Sequence, residues 1–133
     1  MKKKNLPQNP RVIVVQKLYG KFINKESEIT FQKHKYKRFI KEVVNGTIER
    51  KELILDLIEK ELKDDINNYK TEIIVKIMIE AAIFEFLFMH KIPVKVIIAE
   101  YLKVSEFFVN KSQKNFLNAI LDKISKKSRV IDE

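Results

Sequence analysis

Three features of the 133-residue sequence predict an all-α fold. Glycine and proline number only two and three, too few for the many turns of a β-sandwich. Long stretches are rich in Lys, Glu, Leu and Ile, residues that favour helices. The third feature is Ile73 to Met89, IIVKIMIEAAIFEFLFM, where only Lys76, Glu80 and Glu85 interrupt seventeen positions. A surface helix carries one apolar stripe, so a segment apolar all round belongs inside a bundle. It is too long for a buried strand. For a membrane span it is short and carries too many charges.

The elements follow in order. Met1 to Asn9 is a polar, lysine-rich arm, expected to be loose. Pro10 suits a first helical turn and Asn9 can cap it, so the first helix is placed at about Pro10 to Ile23. Its inward stripe is Val12, Val15, Leu18, Tyr19 and Phe22, with Lys17, Lys21 and Asn24 opposite and Gln16 on the edge. After a polar connection, Tyr36, Phe39, Ile40, Val43 and Val44 mark a second helix. Asn45-Gly46 is read as its stop, because both residues tolerate the left-handed conformation that ends helices. Thr47 then caps a third helix to about Leu62, with Ile54, Leu55, Ile58 and Leu62 inward.

The internal boundary is expected at Asp64 to Lys70. The central helix follows, from about Glu72 to His90 with Thr71 as cap, and it ends before Ile92-Pro93. A fifth helix is placed at about Val94 to Phe108, broken by Val109-Asn110-Lys111. Ser112 is taken as the cap of a last helix, about Gln113 to Ser125. Its inward face is Phe116, Leu117, Ile120, Leu121 and Ile124.

With no cysteine, thiol catalysis and thiolate metal sites are excluded. No apolar run follows Met1-Lys2-Lys3-Lys4, so neither a signal peptide nor an anchor is expected, and a soluble cytoplasmic protein is inferred. His34 and His90 lie far apart without a catalytic neighbourhood, and two glycines cannot build a phosphate loop. No enzymatic activity, metal or other cofactor is therefore expected. Glu80 and Glu85 are read as a partner-binding or catalytic acid, or as members of internal ion pairs. The second reading is preferred, since no nucleophile or second carboxylate is positioned near either.

Charge distribution points to binding instead. The net charge is +9, and residues 1–40 carry eleven Lys or Arg against two Glu. The remaining residues are balanced, sixteen against sixteen. A compositional bias would raise lysine throughout, so a basic end of this kind indicates a polyanion partner. Lys2, Lys3, Lys4, Arg11, Lys17 and Lys21 would neutralise phosphates. Tyr19 and Phe116 are candidates for stacking on single-stranded bases, against core packing as the commoner fate.

Five fragments, in order, resemble the NusB family: Pro10-Arg11 with Val15-Gln16 and Leu18-Tyr19; Tyr36 with Arg38; Ala82 with Glu85-Phe86-Leu87; Ile92-Pro93-Val94-Lys95-Val96-Ile97-Ile98 with Glu100-Tyr101; and Phe116-Leu117-Asn118 with Leu121-Asp122-Lys123. The resemblance spans about Pro10 to Arg129. It implies a NusB-like helical bundle of about six to seven helices within 10–133, in two small sub-bundles at about 10–63 and 71–125. It also implies transcription antitermination. Family members pair with NusE, a small-subunit ribosomal protein, on boxA RNA and load an RNA polymerase elongation complex that reads through terminators, chiefly in ribosomal RNA operons. The implied RNA surface is Lys2, Lys3, Lys4, Arg11, Gln16, Tyr19, Lys114, Phe116 and Asn118. The lysine arm keeps the charge of the family's frequent arginines but not their bidentate geometry. Two alternatives accompany this reading: a helical protein-interaction module without specific RNA binding and, placed last, an enzyme fragment, since ribosomal-RNA cytosine methyltransferases carry a similar helical domain. A bundle face left free by the partner could also support a homodimer.

Overall fold

The computed structural model describes residues 9–69 and 71–129; the lysine arm at Lys2, Lys3 and Lys4 lies outside them. Among the described residues there are six helices and no strand: α1 (Pro10–Ile23), α2 (Lys37–Glu49), α3 (Lys51–Asn68), α4 (Ile73–Phe88), α5 (Val94–Ser105) and α6 (Lys111–Ser128). None is long and apolar enough to cross a membrane.

α1 begins as its sequence dictates. Pro10 occupies the first turn, and the Asn9 side chain accepts from the amides of Arg11 and Val12 at 2.9 and 3.2 Å. Two of the helix's free N–H groups are thereby satisfied. Val12, Val14, Val15 and Leu18 are buried, whereas Tyr19 and Phe22 remain partly exposed, contrary to their expected inward place.

The largest departure is at Asn45-Gly46, which does not end α2. Both residues lie inside the helix, and no described glycine adopts a positive φ. Gly46 serves a different need. A Cβ there would overlap the Phe84 ring of α4, so the missing side chain lets two helices meet closely. Thr47 is accordingly buried in the last turns of α2 rather than capping α3. The chain bends at Arg50, whose amide donates to Gly46 O at 2.9 Å, and α3 then runs on to Asn68. Most of the expected 64–70 connection is therefore helical.

Two other caps differ from expectation. The Thr71 hydroxyl donates back to Tyr69 O at 2.9 Å and Ile66 O at 3.3 Å, tying down the end of α3, and Glu72 stands at the start of α4. For α6 the cap is Asn110, whose Oδ1 accepts from the Gln113 amide at 2.9 Å. Ser112 lies within the helix. α5 stops at Ser105, and the following turn carries Phe107 and Phe108.

α4 is the buried rod the sequence predicts. It packs against all five other helices, and ten of its residues from Val75 to Phe86 are buried. A polar group on such a helix must find a partner. Glu85, fully buried, accepts from Arg11 Nε at 2.9 Å, Arg11 Nη2 at 2.6 Å and the Tyr101 hydroxyl at 2.6 Å. Glu80 pairs with Lys51 at 3.2 Å. Glu85 thus takes the internal ion-pair role, whereas Glu80 is ion-paired to a half-exposed lysine at the bundle's edge. The C-terminal end of α4 is held from elsewhere. Arg129, just past α6, donates to the carbonyls of Phe86, Ile92, Met89 and Glu85 at 2.7, 2.8, 3.0 and 3.1 Å.

Candidate nucleic-acid interface

Arg11 must be removed from the outward-facing set. It was expected to meet phosphate, but only 7 % of it is exposed, and its guanidinium forms a two-pronged pair with Glu85 while lying 4.7 Å over the Phe39 ring. Burial works against its charge, yet the hydrogen bond and charge of Glu85 outweigh that effect and raise its pKa. The same environment holds the Tyr101 hydroxyl well above its ordinary value, by burial first and then by the Glu85 charge. Arg11 is therefore spent on positioning α1 against α4 and α5.

That placement turns the next exposed turn of α1 outward. Gln16 is exposed and Tyr19 is 39 % exposed. They line a shallow cleft of about 420 Å³ with Glu72, Ile73 and Ile74 at the start of α4 and Phe108 from the turn before α6. Apolar and aromatic walls with a primary amide and a phenol suit an unstacked base better than a phosphate. Glu72 is the one charged side chain among these six and would repel a phosphate.

A second aromatic pair lies nearby in the chain. Phe116 of α6 stacks on Tyr69 at the end of α3, centroids 4.1 Å apart and planes within 7°. The Tyr69 hydroxyl shares a 2.7 Å hydrogen bond with Ser112. One face of Phe116 is thus already covered, and Tyr69 becomes part of the surface. Sequence reading missed Tyr69 because it falls in the stretch taken for a connection; an aromatic just ahead of the central helix was its one signal. Lys114, expected to face RNA, is ion-paired with Glu106. Asn118 is exposed farther along α6.

A group of open cations lies on another flank. Lys17 of α1, Lys33 in the α1–α2 connection, and Lys37 and Lys41 of α2 have no carboxylate partner among the described residues. By contrast, Lys114, Lys123, Lys126 and Lys127 of α6 are all paired with acids.

The family model of the NusB family matches residues 8–126. The chain belongs to the NusB family. Curated relatives named transcription antitermination protein NusB include one from Allorhizobium ampelinum, 29 % identical over 92 residues, covering 69 % of this chain and 58 % of that protein. One from Mesorhizobium japonicum is 24 % identical over 92 residues, covering 69 % and 59 %. The match thus spans less than two thirds of the length of these NusB relatives. A solved structure of T. maritima NusB superposes with a TM-score of 0.77 at 22 % identity, covering 90 % of each chain. The NusB fold is therefore common to both.

Proposed function

We propose that the chain is a non-catalytic, cytoplasmic transcription antitermination factor. In this reading it binds boxA-type single-stranded RNA together with NusE and thereby acts on an RNA polymerase elongation complex in ribosomal RNA operons. Membership of the NusB family and the antitermination name of its curated relatives support the class of activity. The observation that carries the RNA reading is the outward pair Gln16 and Tyr19, opening on an aromatic cleft while unpaired lysines stand beside it on α1 and α2. Bases would enter the cleft, and phosphates would be neutralised by the lysine arm and Lys17. Tyr69 with Phe116, Lys114 and Asn118 would flank the strand from the α6 side.

A labelled boxA-type RNA, titrated with and without NusE at two salt concentrations, tests this. If five or six phosphates are neutralised, log affinity falls against log salt with a slope of about −4. NusE should tighten binding, and Tyr19→Ala should weaken it roughly fivefold to a hundredfold, the value of one base stack. A scrambled strand bound equally well in the presence of NusE would refute the proposal.

One observation favours the alternative, a protein-interaction module without specific RNA binding. A groove of about 470 Å³ between α1, α2, α3 and α4 exposes Phe22, Ile48 and Ile73. Under that reading, changing Lys2, Lys3 and Lys4 to Ala leaves partner affinity intact and RNA affinity is negligible at physiological salt.

A further inference from the structure

We infer that the bound single strand does not end at the Gln16–Tyr19 cleft but crosses α1 and continues into a second, phosphate-binding cleft beneath the α1–α2 connection. This rests on the RNA-binding reading above and adds a site and a direction to it. The second cleft, of about 340 Å³, is walled by Gln16, Lys17, Gln32, Lys33 and Lys37 over a floor that includes Phe31. Gln16 lines both clefts, so they meet at one side chain. The Lys17 and Lys41 ammonium groups both lie 5.8 Å from the centroid of Phe31, one from α1 and one from α2. Attraction to the ring draws two like charges toward one point where no carboxylate bridges either of them.

Lys17 and Lys41 at the ring and Lys33 and Lys37 lining the cleft have no ion-paired carboxylate among the described residues, and they repel one another in the free protein. An anion relieves that repulsion, and a phosphodiester backbone supplies anions at regular spacing. The first cleft holds Glu72 and no cation, so the two clefts divide the work between bases and phosphates. The α6 flank is a poorer continuation, because Glu106 neutralises Lys114 there and leaves Lys111 as the one open lysine of that cleft.

The test compares salt slopes for a 20-nucleotide boxA-containing RNA. The double variant Lys33→Ala/Lys37→Ala should lower the magnitude of the slope by about 1.4, the loss of two single-strand phosphate contacts. Lys33→Arg/Lys37→Arg should retain it. A control, Lys60→Ala/Lys95→Ala, removes two lysines of α3 and α5 and should leave the slope unchanged. If the cleft variant binds with the wild-type slope, or the control lowers it equally, the inference is overturned and the first cleft still stands. An unchanged RNA slope with lost affinity for an acidic protein would assign the lysines to that partner, again against the inference. Failure of the wild-type chain to bind RNA would instead remove the proposed function itself.

Discussion

Glu85 is fully buried, and three donor hydrogens make its charge tolerable: two from the Arg11 fork and one from Tyr101. Removing Arg11 leaves that carboxylate without a counter-charge. Arg11→Ala should therefore destabilise the protein by about 3–5 kcal/mol in urea unfolding. Combining Arg11→Met and Glu85→Leu with Tyr101→Phe should recover most of the loss, since neither a charge nor a buried hydroxyl is then stranded. Tyr101→Phe removes one hydrogen bond to a charged acceptor and should cost about 1.5–3 kcal/mol. The pair joins residues 74 apart, and no local pattern announces it. Beside a lysine arm, an arginine in a first helical turn reads as a phosphate contact. The preference for an internal role at Glu85 was legible, but the identity of its partner was not. Glu80 makes a pH-dependent prediction. Burial raises its pKa and Lys51 only partly opposes this. As pH rises above the unfolded carboxyl value, the unfolded chain releases its proton first, so stability falls until the folded group has also ionised. Glu80→Gln should flatten that part of the curve of melting temperature against pH. A wild-type curve that rises there because of Glu80 would contradict the burial argument.

At the scale of helices, periodicity located all six, because each buries one stripe and α4 buries nearly all of itself. The ends were less legible. Asn45-Gly46 has the composition of a stop but not the conformation, and what decides it is the Phe84 ring of a helix nearly forty residues on. Gly46→Ala is correspondingly a prediction in which two effects oppose each other. Helix propensity gains about 1 kcal/mol. Overpacking against a buried ring costs about 1–3 kcal/mol, so a net loss of stability is expected. Adding Phe84→Leu to Gly46→Ala should restore part of it, which a simple propensity effect would not do. The outward turn of α1 had a similar ambiguity. Tyr19 fits the apolar spacing, and only the packing of α1 on α4 leaves it 39 % exposed rather than inside. That exposure gives the candidate cleft its phenol.

Sub-bundles at about 10–63 and 71–125 within a single domain would meet near residues 64–70, and the contacts across that region predict that they unfold as one cooperative unit. α4 touches every other helix, and α3 also packs directly on α6. Lys123 meets Asp65 at 2.7 Å and Lys127 meets Glu61 at 3.9 Å across that packing. Those exposed pairs contribute little by themselves, but they show how closely the last helix lies against the third. Arg129 then holds the C-terminal carbonyls of α4. Arg129→Ala should cost about 1–3 kcal/mol, chiefly by taking the side-chain donor from the Phe86 and Ile92 carbonyls, since Glu85 O and Met89 O also accept from backbone amides. More discriminating is where that loss is felt. If α4 is a shared core, native-state hydrogen exchange should give the Val43 amide in α2 and the Ile120 amide in α6 the same global opening free energy. Arg129→Ala, which acts at the α6 end, and Arg11→Ala, which acts at α1, should then each lower both values equally. Separate halves would respond separately, with Ile120 losing protection in the first variant while Val43 kept its own.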